Sequence, residues 1–114
     1  MKYIYLSHPI TKNNPFHNVN RAVRYAAYLH EKGYVVMVPG LSVLYDMIHP
    51  TEYEEYMRWD FAWIERCDCL IRLSGESAGA DREVKYALSL GIPVFMGTKN
   101  FLMYMVEKQK KDCI

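Results

Sequence analysis

Hydrophobic positions along this chain switch between a two-residue period and a period of three to four, and each switch marks an element. Residues Lys2 to Ser7 alternate, with Ile4 and Leu6 on one face and Tyr3, Tyr5 and Ser7 on the other, which predicts a first strand with Tyr5 near its carboxyl end. The segment Ser7-His8-Pro9-Ile10-Thr11 and the asparagines after it read as a loop broken by Pro9 and Pro15. From about Asn18, the residues Val19, Ala22, Val23, Ala26, Ala27 and His30 recur at helical spacing, and Gly33 closes that helix. Tyr34 to Val38 is a short β-branched run, stopped by Pro39-Gly40, and predicts strand two. Leu41 to Ile48 is apolar without a period and reads as a loop, with room for a helical turn, over the carboxyl end of the sheet. There it would either cover a ligand or simply pack.

A third helix is predicted from Thr51-Glu52-Tyr53-Glu54, which has the form of a capping box. Its apolar stripe is Tyr53, Tyr56, Met57, Phe61 and Ile64, and Asp60 falls inside that stripe. A buried carboxylate without a partner costs several kcal/mol or gives up its charge, so Asp60 needs either a partner or a purpose. Trp59 and Trp63 stand one turn apart on the adjoining face, which predicts a contact with another subunit.

The stretch Cys67 to Phe95 reads as one βαβ unit: a strand over Asp68 to Leu73, a loop rich in glycine and serine, an amphipathic helix, and a strand entered through Gly91-Ile92-Pro93-Val94-Phe95. Ser77 fits the N-cap position, and Gly75 and Gly79 allow close approach to a ligand at a helix start whose N–H groups favour anions. The glycines alone fit an ordinary strand-to-helix connection equally well. On the helix, Ala80, Val84, Ala87 and Leu88 form the inward stripe, and Glu83 lies beside it. Glu83 is then either a solvated acid favoured by the helix dipole or a carboxylate facing the sheet edge, where chemistry is done. Asn100 to Lys110 predicts a closing helix with a charged end.

Strands alternating with helices predict an α/β fold: a doubly wound, mostly parallel sheet of four or five strands with helices on both faces, in three layers of the flavodoxin or Rossmann kind. Ligands of such sheets sit at the carboxyl edge, at the topological switch point, and Tyr5, Ser77 and Glu83 all map there. With 114 residues and 51% hydrophobic content the chain reads as a single folded domain. A net charge of +1 gives no case for a nucleic acid polymer or a membrane surface as partner. The first residues do not read as a signal peptide, so a cytoplasmic protein is expected. Cys67, Cys69 and Cys113 are an odd number and read as small buried hydrophobes in a reducing compartment. His8, His17, His30 and His49 show no metal-ligand spacing, and no metal is expected.

Three segments, YIYLSHPIT, NRAVRYAAYLHEKGYVVMVP and CDCLIRLSGESAGADREVKYALSLGIPV, in this order and over nearly the whole chain, resemble the nucleoside 2-deoxyribosyltransferase-like family, in particular its small phage and bacterial members. The most specific part is Ser77-x-Gly79-x-x-x-Glu83. Transferases of this family usually have an aspartate at the position of Ser77, which holds the sugar 5′-hydroxyl. A serine there is similar to the nucleotide N-glycosidase branch, which binds a 5′-phosphate. The resemblance implies hydrolysis of the N-glycosidic bond of a (deoxy)ribonucleoside 5′-monophosphate, with Glu83 as nucleophile, Tyr5 orienting it, Asp60 serving the leaving base, and Ser77 with the backbone at Gly79 holding the phosphate. Many members of the family carry a small glycine-containing loop after strand one, and Ser7-His8-Pro9 stands in its place. Ser7 and His8 thereby become candidates for substrate contacts, against the plain alternative of a surface histidine. No cofactor is implied, and a homodimer or larger homo-oligomer is. Base exchange between nucleosides, and nucleotide binding without turnover, are the alternatives.

Overall fold

A computed structural model describes residues 1–112, so Cys113 lies outside the described residues. Four strands form one parallel sheet in the order β2-β1-β3-β4, with β1 Tyr3–Ser7, β2 Val35–Met37, β3 Cys69–Arg72 and β4 Val94–Met96. In register, Tyr5 pairs with Met37 on one side and Leu70 on the other, and Ser7 pairs with Arg72. The chain moves outward from β1 to β2 and then crosses back to β3, so the switch point lies between the carboxyl ends of β1 and β3. This is the expected α/β three-layer architecture.

Helices α1 Pro15–Glu31 and α5 Thr98–Asp112 cover one face. The core there is Ile4, Leu6, Ala22, Leu29, Ile71 and Phe101. Helices α3 Tyr53–Ile64 and α4 Ala78–Ser89 cover the other face, where Tyr5, Ile64, Leu70 and Ala87 are buried together. Between the two layers of chain order, a 3₁₀ turn over Pro39–Leu41 leads into a short helix, α2 Ser42–Ile48.

Local departures from the sequence pattern have identifiable causes. Helix α1 begins at Pro15 rather than near Asn18, because Asn14 caps it by accepting the His17 N–H at 3.1 Å and proline is suited to the first helical position. Its buried positions are Ala22 and Leu29, whereas Val23, Ala27 and His30 face outward. Leu41 to Ile48 is helical, not a loop; no residue of α2 is buried, so it carries no stripe for periodicity to detect. The capping box does not form. Asp46 accepts the Thr51 N–H at 3.0 Å, the Thr51 hydroxyl turns to the His49 carbonyl, and Glu52 becomes the N-cap without a side-chain bond. Glu54 instead accepts two hydrogen bonds from Arg82, at 2.8 and 3.1 Å, tying α3 to α4. On α4 the buried positions are Ala80, Glu83 and Ala87; Leu88 is 60% exposed, so Glu83 takes the inward place that Leu88 does not.

Candidate active site

The carboxyl edge of the sheet holds a cavity of about 860 Å³, bounded by the loop after β1, by α2, by the first residues of α4 and by the side of α3 that carries Tyr53, Met57 and Asp60. Asp60 and Glu83 reach its floor from α3 and α4, and Ser77, Gly79 and His8 lie on its walls. Tyr5 and Ser7 are fully buried behind Glu83 and do not line the cavity.

Glu83 is 3% exposed and each of its carboxylate oxygens has a donor. The Tyr5 hydroxyl donates to Oε2 at 2.8 Å, and the Ser7 hydroxyl donates to Oε1 at 2.8 Å. Strand alternation makes this arrangement: residues Tyr5 and Ser7 project to the α4 side of β1, and α4 carries Glu83 across them. Ser7 is thus placed against the carboxylate, not where a substrate would meet it.

Asp60, 8% exposed, sits against the same pair. Burial, then the charge of Glu83, pushes its carboxyl up to about 8. Burial also raises Glu83, but hydrogen bonds from Asp60, Ser7 and Tyr5 and the nearby Arg72 guanidinium oppose the rise. Two interacting carboxyls in one dry place hold one proton between them, and Glu83, with the larger set of donors, is the better bearer of the charge. Asp60 then carries the proton near neutral pH. Tyr5 is held well above the ordinary tyrosine range by burial and by the Glu83 carboxylate, so it stays a donor.

Ser77 caps α4 as its position predicts, accepting the Ala80 N–H at 3.1 Å. Ser77, Ala78, Gly79 and Ala80 line the cavity, so the start of α4, where N–H groups lack helical partners and favour an anion, borders it. Gly75 adopts φ +121°, and a Cβ there would lie 2.8 Å from the Pro9 ring, so the loops after β1 and β3 touch. Gly79 faces the Tyr53 hydroxyl, where α3 and α4 come close.

His8 departs from the surface reading. It is 2% exposed; Nδ1 bonds the Pro9 carbonyl at 2.8 Å and Nε2 accepts the Gly40 N–H at 3.2 Å. That pattern needs the neutral Nδ1–H tautomer, and burial lowers the imidazole to about 4. Nδ1 braces the β1 loop on itself, and Nε2 ties that loop to the 3₁₀ turn at Gly40.

Two features have no counterpart in the sequence pattern. Arg72, buried at the end of β3, donates to the carbonyls of Leu73 and of Gly75 (2.9 Å) and to Asp81 Oδ1 at 3.0 Å, and so shapes the loop that leads to Ser77. An arginine closing an apolar strand run was its one signal. Asp46 and Tyr56 stand on the cavity wall opposite the loops, with the Tyr56 hydroxyl donating to Asp46 at 2.7 Å. Among the described residues no group of His, Cys, Asp and Glu is arranged to hold a metal ion, and no helix is long and apolar enough to cross a membrane.

Comparison with solved structures finds the 2-desoxiribosyltransferase from Leishmania mexicana, with a TM-score of 0.60 and 22% sequence identity, over 82% of this chain and 62% of that one. The chain therefore spans less than two thirds of that enzyme's length, and the two share the nucleoside 2-deoxyribosyltransferase-like fold. No curated protein matches the sequence. A family model covers residues 2–96, from the first strand to the last and across every residue of the cavity floor, and by that match the chain belongs to the family described as "Domain of unknown function (DUF4406)".

Proposed function

We propose that this protein cleaves the N-glycosidic bond of a (deoxy)ribonucleoside 5′-monophosphate and releases the free base. The observation that carries the reading is the pairing of two buried carboxyls in unlike surroundings: Glu83, held at both oxygens by Tyr5 and Ser7, and Asp60 beside it at the same cavity floor, its carboxyl pushed up to about 8 by burial and by Glu83. Unequal environments for two neighbouring acids are what separate a nucleophile from a proton donor.

In this reading Glu83 attacks the anomeric carbon, the bond to the base breaks, and Asp60 gives its proton to the departing nitrogen. A glycosyl ester on Glu83 remains. Asp60, now ionised, takes a proton from water, which opens the ester and returns both carboxyls to their starting states. The hydroxyls of Tyr5 and Ser7 fix the direction of the attacking oxygen and receive the carboxylate again at the end of the cycle. The first turn of α4, with Ser77 and the backbone at Gly79, takes the 5′-phosphate, aided by Lys12 at the cavity rim, whose ion pair with Glu76 (2.6 Å) is exposed and exchangeable. A second copy of the chain is expected on the face bearing Trp59 and Trp63, 43% and 45% exposed.

A second reading is base exchange between nucleosides, supported by the likeness to a structure described as a 2-desoxiribosyltransferase. Chromatography of a panel of nucleosides and nucleoside monophosphates, with and without an acceptor base, separates the two. Hydrolysis gives free base from monophosphates alone; exchange gives a new nucleoside only when acceptor is present. Equal base release by wild type and Glu83→Gln would remove Glu83 from the chemistry. Ser77→Asp should penalise monophosphates far more than nucleosides, and equal loss on both would end the phosphate role.

A further inference from the structure

We propose a second ligand site, in the groove between α1 and α5, for a small amphipathic anion: a single oxyanion head on an alkyl chain or aryl group. The groove is a cavity of about 780 Å³, within the range of small-molecule sites, and shares no lining residue with the cavity that holds Glu83. Three independent features give its occupant a chemistry and a direction.

The first is its apolar length. Tyr25 and Tyr28 of α1 face Leu102, Met103 and Val106 of α5, and all except Leu102 are more than 40% exposed. An apolar strip of this kind on a small domain calls for cover. The second is charge. Both helices start at the carboxyl edge of the sheet, so Lys99, at the start of α5, and Arg21, in the first half of α1, stand toward that end of the groove, with Arg24 one turn further along α1 and Glu107 beyond the middle of α5. Among the described residues none of the three cations is paired with a carboxylate. Arg24 Nε and one Arg21 nitrogen donate to Asn20 and to the Ser74 carbonyl, neutral acceptors that leave their charge uncompensated. One anionic head therefore fits beside these cations, whereas Glu107 is already ion-paired with Lys110 at 3.7 Å.

The third is an unmet hydrogen bond at that same end. Thr98 opens the 15-residue helix α5 beside the groove and is 8% exposed; its hydroxyl oxygen is closed off from solvent and has no hydrogen-bond partner. A buried hydroxyl without a partner is uncommon because its desolvation is uncompensated. It sits beside the free N–H groups of a helix start, which favour an oxyanion. The helix start, Lys99 and Arg21 serve the head group from the carboxyl-edge end of the groove, and the tail has the tyrosines and Met103 to lie on.

Titration calorimetry of the whole chain with octyl phosphate, kept below its micelle concentration, tests this. One molecule should bind per chain, undisplaced by saturating adenosine monophosphate. Arg24→Gln combined with Lys99→Gln should weaken binding about tenfold or more, and inorganic phosphate or octanol alone should bind at least about tenfold more weakly than octyl phosphate. Thr98→Val should also weaken it while leaving the melting temperature unchanged or higher. Unchanged affinity in the double variant, or displacement by the nucleotide, would overturn the proposal. So would a dimer in light scattering that Met103→Glu dissociates and that binds no octyl phosphate, which would give the groove to a second copy. Binding to phosphatidylglycerol vesicles without binding to octyl phosphate would give it to a membrane surface and equally refute the small-molecule site.

Discussion

The two faces of the sheet are built from one strand and do opposite work. On β1, Ile4 and Leu6 point to the α1 and α5 side, where every buried neighbour in the cluster is apolar. One residue along, Tyr5 and Ser7 point to the α3 and α4 side and end on the Glu83 carboxylate. The first face is stabilised by burial, at roughly 25 cal/mol per Å² of apolar surface removed from water. The second gives up part of that gain to hold a charge, and tolerates it because each carboxylate oxygen has a donor. A period of two is thus enough to separate stability from chemistry, and substitutions on adjacent residues should have separable consequences.

The strongest break of that contrast is Glu83→Gln. Base release, followed by chromatography, should fall about 10⁴-fold or more, as for loss of a nucleophile, while the melting temperature holds or rises because a buried charge is gone. A change under tenfold would show that the polar face is not the reacting one. Next is Asp60→Asn, with an expected loss of about 10² to 10³ in rate, the scale of general acid catalysis. In the wild type, activity should decline as pH rises through the Asp60 value of about 8, and the variant should lack that limb.

Stability follows the same group with a definite sign. At pH values between the unfolded carboxyl and about 8 the unfolded chain ionises Asp60 and the folded chain does not, so the folded state holds the extra proton. The stabilisation is present at low pH and is lost as pH rises, by up to about 1.4 kcal/mol per pH unit for one proton. Urea unfolding at a series of pH values should show a flatter profile for Asp60→Asn than for wild type; parallel profiles would mean that Asp60 is ionised in the folded protein.

Leu6→Ala, on the apolar face, should cost about 3 kcal/mol in urea unfolding through lost burial and a residual cavity, with the kcat of the folded fraction little changed. Tyr5→Phe, one residue away, is the smallest of these: about 1 kcal/mol for a lost hydrogen bond, read as a drop of about tenfold or less in kcat. If Leu6→Ala lowered kcat as far as Tyr5→Phe does, the separation between the two faces would not hold.

Much of this arrangement is legible in the sequence because it rests on period. Asp60 interrupts an apolar stripe, Glu83 borders one, Ser77 stands one residue before a helix, and the alternation in Tyr3 to Ser7 puts Tyr5 opposite Ile4 and Leu6. What escapes is whatever depends on partners distant in sequence. The Thr51-Glu54 capping box fails because Asp46 and Arg82 take its groups. His8 is buried by Gly40, 32 residues on. Leu88 is turned outward because α4 is rotated to bring Glu83 to the sheet. Helix α2 has no buried side at all, and a helix without a stripe leaves no periodic trace. Arg72 hides in an apolar run because strand patterning says nothing of what a strand's last side chain will reach.

The contact between Gly75 and Pro9, together with that between Gly40 and His8, bears on the entropy of ligand entry. A Cβ at Gly75 would stand 2.8 Å from Pro9, and one at Gly40 would stand 2.5 Å from the His8 ring, so three segments around the cavity mouth are wedged against one another. Few backbone torsions remain to be frozen when a ligand arrives, and little of the interaction energy goes into ordering the walls. Amide exchange in these segments should therefore be slow before any ligand is added and should change little once one is bound.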